Sequence, residues 1–133
     1  MVGRSEDLGA LGCYLQLMYT YAPAWGFGGP SRIMYDYAQS MLKSGVNVVV
    51  VAGDIHHDYT GLPRGRLELD GIPIWRVRVF FRRLVKRALN VVSPAMLLIA
   101  WRAVRSMQGK VVVHIAELRS PVFIYAAILR RIF

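Results

Sequence analysis

The sequence predicts an α/β domain with a Rossmann-like, doubly wound and mainly parallel sheet of about four strands flanked by helices. Apolar runs of strand length alternate with segments whose apolar residues recur at helical spacing. The first strand, helix and strand follow one another with short joins, as in a right-handed βαβ unit. With 133 residues, 55% of them hydrophobic, the chain is long enough for one compact domain with its own core.

The first βαβ unit is predicted to start at Cys13. The apolar run 13–20 is typical of a strand buried on both faces of a parallel sheet. The next segment predicts a helix with Ser31 as N-cap and Gly45 as terminator. The β-branched run 46–52 then predicts the second strand. The helix residues expected to face inward are Ile33, Met34, Tyr37, Ala38, Met41 and Leu42.

The remaining elements follow in chain order. The Asp-Gly pair at 70–71 predicts the turn of a small hairpin or a bent strand, with the third strand within 74–79. A helix that Pro94 can open runs towards Met107. The run 110–115 predicts a fourth strand, and 121–133 is expected to be helical.

Charge and cysteine content limit the partners and the location. The net charge of +9 attracts phosphates, acidic lipid headgroups or nucleic acid. The single cysteine, Cys13, excludes an internal disulfide and is compatible with a reducing compartment. Glu6 and Asp7 argue against a signal peptide, and the apolar stretch 91–101 is shorter than the ~20 residues that a membrane span needs. We expect a cytoplasmic location.

Six cations crowd one short segment, together with aromatic residues. This segment, 75–87, could lie on an anionic membrane surface, which is the functional interpretation we prefer, at the inner face of the membrane; a nucleic-acid partner is less favoured. An alternative function for the chain is a non-enzymatic module that binds a membrane or nucleic acid through 75–87. The alternative is an ordinary strand with Trp75, Val77 and Val79 inward and the arginines outward, followed by a solvated helix start. The cations are Arg76, Arg78, Arg82, Arg83, Lys86 and Arg87.

The loop YAPAWGFGGPSR (21–32) joins the first strand to the first helix. Its glycines permit close backbone approach, and it delivers N–H groups to the start of that helix, which favours an anion site; the alternative is a loop whose glycines only let it turn. The G-x-G-G spacing does not match the dinucleotide fingerprint G-x-G-x-x-G. Asp54, at the end of the second strand, keeps an NAD-binding interpretation open.

Other catalytic and metal patterns are not found in the sequence. His56, His57 and Asp58 form a cluster, but no cysteine or further histidine stands at zinc spacing, so we predict a solvated loop and no metal site. The sequence has no Ser/His/Asp pattern, HExxH or Walker A loop, which leaves hydrolase and P-loop ATPase functions without support.

Three segments, 21–54, 70–77 and 111–119, together resemble the N-terminal domain of retaining glycosyltransferases of family 4, over about residues 14–133. The resemblance implies the GT-B fold, two Rossmann-like domains facing across a cleft, which in the complete enzyme moves a hexosyl group from a nucleotide-sugar to a sugar or lipid-linked acceptor without a metal or cofactor. It also implies a partial acceptor-side domain at 13–133 and a missing nucleotide-sugar domain. Residues 1–12, which precede the first predicted strand, are interpreted as a short extension. This chain alone is then expected to be inactive or to need that domain as a separate chain.

The resemblance also assigns site residues. Gly28 and Gly29 match the family's glycine pair, whose backbone approaches the donor diphosphate. The family's fourth strand commonly ends in a His-x-His pattern; here His114 is present, and the second position is Ala116. Burial within the strand is the alternative role for His114. The polar residues that could compensate in the cleft are Glu117 and Arg119, and no catalytic residue is assigned.

Overall fold

The computed structural model describes residues 11–22, 29–56, 61–80, 91–105, 107–116 and 121–132. Seven strands and three helices lie within these residues. The strands are β1 (Leu11–Met18), β2 (Val48–Gly53), β3 (Gly65–Leu69), β4 (Ile72–Val77), β5 (Val79–Phe80), β6 (Val91–Val92) and β7 (Lys110–Ile115). The helices are α1 (Gly29–Lys43), α2 (Ala95–Val104) and α3 (Pro121–Ile132).

Five strands form the main sheet in the order β3-β4-β2-β1-β7. The β1 strand pairs in parallel with β2 and with β7, and β2 pairs in parallel with β4. Only β3 is antiparallel, because a two-residue turn joins it to β4. Both turn residues have positive φ, 51° at Asp70 and 82° at Gly71, as a hairpin turn of type I′ requires. The predicted Rossmann-like α/β fold is confirmed, with β3 as an additional edge strand.

Helices cover both faces of this sheet, so the core has two layers. Cys13, Leu15 and Leu17 of β1 belong to the layer beneath α2 and α3, whereas Tyr14 and Met18 belong to the layer beneath α1. All six residues of β2 are buried. Burial on both faces is the reason why β2 is a continuous apolar run rather than an alternating one.

Helix α1 differs from its prediction at its start and agrees with it at its end. It begins at Gly29, so Ser31 lies inside the first turn and its predicted N-cap role is wrong. At the other end Gly45 has φ 79°, its N–H donates to the Leu42 carbonyl, and the Val46 N–H donates to the Met41 carbonyl. This is the Schellman arrangement, which confirms Gly45 as the terminator.

Two residues of α1 that were expected to face inward are exposed, Ile33 at 55% and Tyr37 at 49%. The helix packs mainly over β1, β2 and β4, with a buried stripe that includes Met34 and Ala38. Side chains turned towards the edge strand β7 therefore have little to cover them, and Val112 of β7 is exposed on that side as well.

The other boundaries follow the predictions within a few residues. The fourth predicted strand matches β7, whereas the third begins at Ile72, directly after the hairpin turn, and ends at Val77. After Arg78 the chain continues as β5, which pairs with β6 in a separate two-stranded sheet. Among the described residues, no helix is long and apolar enough to cross a membrane.

Candidate functional site at the carboxyl edge of the sheet

The strand order changes direction between β1 and β7. From β1 the chain proceeds to β2 and β4 on one side and then returns to β7 on the other. Doubly wound sheets bind ligands at such a point, outside the carboxyl ends of the two strands. The predicted glycine pair and the predicted cleft residues belong to the two chain segments that follow β1 and β7. Gly28, Glu117 and Arg119 themselves lie outside the described residues.

Gly29 is the first residue of α1 and is exposed. Its φ is not in the positive range, and a Cβ atom added there would meet nothing within 4 Å among the described residues, to which 23–28 do not belong. Neither a positive φ nor crowding by the described residues therefore accounts for a glycine at this position. The close approach of a ligand would account for it.

Ser31 lies in the first turn of α1 and is 1% exposed. Its hydroxyl has no hydrogen-bond partner among the described residues. Buried hydroxyls are nearly always hydrogen-bonded, so an unpaired one calls for a physical reason. At this position the hydroxyl is a donor available beside the N–H groups of the helix start.

Arg76 is 6% exposed, and its predicted outward orientation is wrong. The reason is the register: Arg76 pairs with Ala52, which packs in the layer beneath α1. From there its Nη2 donates to the Ala22 carbonyl at 2.9 Å, on the segment that leads into the glycine loop. Its Nε has no hydrogen-bond partner in the described part of the chain. Burial lowers the pKa of Arg76, and the nearby Asp54 carboxylate opposes that shift.

The basic segment is thus divided between the interior and the surface. Arg78 is exposed, and its guanidinium lies 5.0 Å from the centroid of the Phe80 ring, a cation–π distance. Val77 and Val79 are buried as the ordinary-strand alternative expected, and Trp75 is half-buried. The other four predicted cations, Arg82, Arg83, Lys86 and Arg87, lie outside the described residues, so membrane contact by this segment stays a prediction.

The Asp54 side chain, directly after β2, contacts two later segments of the chain. Its side chain is 1% exposed; Oδ1 accepts from the Val79 N–H at 2.9 Å, and Oδ2 lies 3.3 Å from Nε of Arg64. A carboxylate that binds the ribose of NAD must present an oxygen to the ligand. Because Asp54 is buried and both oxygens already have partners, the geometry does not favour the NAD-binding interpretation.

A buried polar network lies between β1 and α1. Gln16 donates through Nε2 to the Met34 carbonyl at 2.7 Å and to the Tyr14 hydroxyl at 3.2 Å, and its Oε1 accepts from the Tyr21 hydroxyl at 2.7 Å. The Tyr14 hydroxyl also contacts Nδ1 of His114 at 2.5 Å. Gln16 and Tyr21 were not predicted as site residues from the sequence. The available signal was a glutamine in a strand predicted to be buried on both faces, because such a group needs hydrogen-bond partners.

His114 faces the α1 side of β7, one residue before the strand ends. It is half-buried, and its ring centroid lies 5.5 Å from that of Tyr37 in an edge-on arrangement. Burial lowers the pKa of His114, so the neutral ring is favoured. Because the Tyr14 hydroxyl already accepts from Gln16 Nε2, we infer that it donates to Nδ1, which assigns the proton of the neutral ring to Nε2. Ala116, at the second position of the family pattern, directly follows β7 and is exposed.

The histidine cluster adds no metal-site assignment. No group of three potential metal ligands occurs among the described residues, and His57 and Asp58 lie outside the described residues.

A scan against protein-family models, a search of curated proteins and a search of solved structures find no match to this chain. The functional inference therefore rests on the residues and their geometry.

Proposed function

We propose that this chain is the acceptor-side, Rossmann-like half of a retaining glycosyltransferase of GT-B architecture. In this proposal the segment between β1 and α1 binds the diphosphate of a nucleotide-sugar, and the complete enzyme transfers the hexosyl group to a sugar or lipid-linked acceptor. The observation that carries the proposal is Arg76, a guanidinium buried in the layer beneath α1, whose Nε has no hydrogen-bond partner among the described residues.

The electrostatics of the layer beneath α1 favour an anionic ligand. Arginine is almost never fully buried unless it is paired, because removing its charge from water is costly. Arg76 has a carbonyl acceptor in Ala22, which leaves its positive charge to act on the same end of the sheet at which α1 begins. The start of a helix itself carries about half a positive charge. The Asp54 carboxylate near Arg76 is also paired with Arg64, so a diphosphate would add negative charge that complements both Arg76 and the helix start.

The donor groups also suit a diphosphate chemically. Phosphate oxygens accept hydrogen bonds from backbone N–H groups at a helix start, and the Ser31 hydroxyl offers another donor there. Exposed Gly29 leaves the backbone accessible, because no side chain stands between it and a ligand. When the bond between sugar and diphosphate breaks, negative charge grows on the leaving group. Donors fixed in advance stabilise that charge, which is the usual means of electrostatic catalysis.

His114 is suited to a neutral contact with the donor sugar. Its pKa is lowered by burial, so at neutral pH the ring is uncharged and Nε2–H is a hydrogen-bond donor. Tyr14 orients the ring through Nδ1. The resemblance adds Glu117 and Arg119 as candidates on the segment after β7. These contacts belong to the proposal, and Ala116 removes the second histidine of the family pattern.

The decisive measurement is calorimetric titration with pyrophosphate and with UDP. Arg76→Met removes the buried charge, and we expect it to weaken both ligands at least tenfold, as loss of a charge-assisted hydrogen bond predicts. Arg78→Met is the matched control, because it makes the same change at an exposed neighbour; we expect less than a twofold effect. Equal losses in the two variants, or no loss in Arg76→Met, would contradict the site.

Gly29→Ala separates ligand approach from chain conformation. Because the added methyl group meets nothing within 4 Å in the part of the chain that the structure describes, the variant should unfold at a urea concentration close to that of the parent protein. Its affinity for pyrophosphate should nevertheless fall, since the methyl group occupies space next to the backbone donors. A parallel titration with NAD completes the experiment. NAD binding that exceeds UDP binding and survives Arg76→Met would favour a dinucleotide-binding domain instead.

A further inference from the structure

A groove of about 1180 Å³ lies between β7 and α3. The β7 strand is at the end of the main sheet; one backbone edge pairs with β1, and the other has no partner strand among the described residues. Unpaired strand edges offer a row of N–H and C=O groups to another chain. Apolar side chains from both elements line the groove, among them Val111, Val113, Ile115, Phe123 and Ala126.

Helix α3 forms one wall of the groove and is held in place by the core. Val122 and Leu129 fix the helix in the core, and the Tyr125 hydroxyl donates to the Val92 carbonyl at 2.6 Å. Phe123 and Ala127 then line the groove while remaining exposed. A ligand in this groove must form hydrogen bonds with the backbone groups at the edge of β7 and fill the apolar space next to that edge. A β-strand does both, because its backbone pairs with β7 and its side chains on one face pack against α3.

The charge of the groove distinguishes between three candidate occupants: a second copy of the chain, a bilayer surface and an acidic segment of another polypeptide. Among the described residues its lining includes four cations, Arg105, Lys110, Arg130 and Arg131, and no acidic residue. In the sequence after Gly71, Glu117 is the one acidic residue among twelve Lys and Arg. A second copy of the chain would bring two cationic rims together. A bilayer surface would leave the backbone edge of β7 without hydrogen-bond partners. An acidic extended segment satisfies both the edge and the charge.

We propose that the groove between β7 and α3 binds an extended, acidic segment of a partner polypeptide, which adds to the sheet as a strand beside β7. This inference does not depend on the diphosphate site, which lies at the carboxyl edge. Backbone pairing with β7 supplies the affinity. Apolar side chains that enter the groove and acidic side chains that reach the cationic rim supply the selectivity.

The test uses the full chain and a fluorescent ten-residue peptide of alternating valine and glutamate. We expect saturable binding by fluorescence anisotropy, and slower amide hydrogen exchange in 110–115 when the peptide is bound. A peptide with lysine in place of glutamate should bind at least tenfold more weakly. A glutamate peptide that is N-methylated along one edge should lose binding as well, because it cannot pair with a strand.

Two tryptophan variants locate the binding. Ala127→Trp fills the groove and should weaken the acidic peptide at least tenfold. Ile124→Trp is the matched control, because Ile124 is exposed on the same helix but does not line the groove. Urea unfolding verifies that both variants fold. If Ala127→Trp does not fold, the hydrogen-exchange measurement on the parent protein still tests the proposal.

Four results would overturn the proposal. The first is no peptide binding up to about 1 mM. The second is that the lysine peptide or the N-methylated peptide binds as tightly as the unmodified glutamate peptide. The third is self-association of the chain that Ala127→Trp abolishes, which would make a second copy the occupant. The fourth is binding of the chain to anionic vesicles, if Ala127→Trp abolishes this binding and the acidic peptide does not inhibit it. The occupant of the groove would then be a lipid surface.

Discussion

Replacement of Gln16 by leucine tests whether the polar network between β1 and α1 stabilises the fold. The two side chains have similar volumes, so Gln16→Leu creates no large cavity, but it removes every hydrogen bond that the Gln16 side chain makes. The variant leaves the fully buried Tyr21 hydroxyl without its acceptor, because Oε1 of Gln16 accepts that hydrogen bond. The Tyr14 hydroxyl keeps its contact with His114.

The magnitude follows from the groups that lose partners. An unsatisfied buried hydroxyl costs about 1–3 kcal/mol, and each further lost hydrogen bond costs about 0.5–1.5 kcal/mol. Burial of the leucine side chain offsets part of this cost. We expect the free energy of unfolding to fall by about 2–3 kcal/mol. Domains of this size are stable by only about 5–15 kcal/mol, so urea unfolding followed by circular dichroism should detect the shift in midpoint.

The double variant Gln16→Leu/Tyr21→Phe is the control for this interpretation. It removes the hydroxyl that the single variant leaves unsatisfied, so its stability should recover to within about 1 kcal/mol of the parent protein. The destabilisation should then be far below the sum of the two single variants, as expected for residues in contact. A loss below about 0.5 kcal/mol in Gln16→Leu, or no recovery in the double variant, would refute the reasoning.

Two further predictions concern titrating groups. Burial lowers the pKa of His114 below its usual value of about 6.5, so the unfolded chain takes up that proton at a higher pH than the folded chain. The free energy of unfolding should therefore fall as the pH drops below about 6.5, and His114→Gln should flatten this part of the urea-midpoint profile; an unchanged profile would contradict it. Burial also raises the pKa of the Cys13 thiol to about 11. Ellman's reagent at pH 8 should therefore react slowly with the folded chain and rapidly in urea, and equal rates would contradict the buried thiol.

The sequence predicts the fold well because the relevant signals are local. The β-branched run of β2, the helix terminator Gly45 and the Asp-Gly turn each act within a few residues of their own position. Helix α1 was predicted less well, since Ile33 and Tyr37 have the periodicity of a buried face but are exposed. Their exposure depends on which strands α1 covers, and that is a property of the assembled sheet rather than of the helix sequence.

The candidate site was predicted less well because it depends on contacts between distant residues. Arg76 alternates with apolar residues in β4, a pattern that equally describes an outward arginine. Its burial is set by the pairing of β4 with β2 and by the Ala22 carbonyl, which is 54 positions away in sequence. Asp54 was singled out for a ligand, but its partners Val79 and Arg64 come from later segments. No local spacing encodes such contacts.

The buried network and the proposed diphosphate site are linked by the start of the segment between β1 and α1. Three successive residues at this point of the chain are held by β1, by β4 and by the segment after β2. Thr20 donates to the Ile55 carbonyl at 3.2 Å, Tyr21 donates to Gln16, and Ala22 accepts from Arg76. Fixing a loop before binding lowers the entropy cost of ligand capture. Gln16→Leu should therefore also weaken pyrophosphate, although Gln16 itself lies within β1 and is fully buried. If Gln16→Leu destabilised the chain and left pyrophosphate affinity unchanged, the network would act on the fold alone, and ligand affinity would depend on Arg76 without help from the anchored segment.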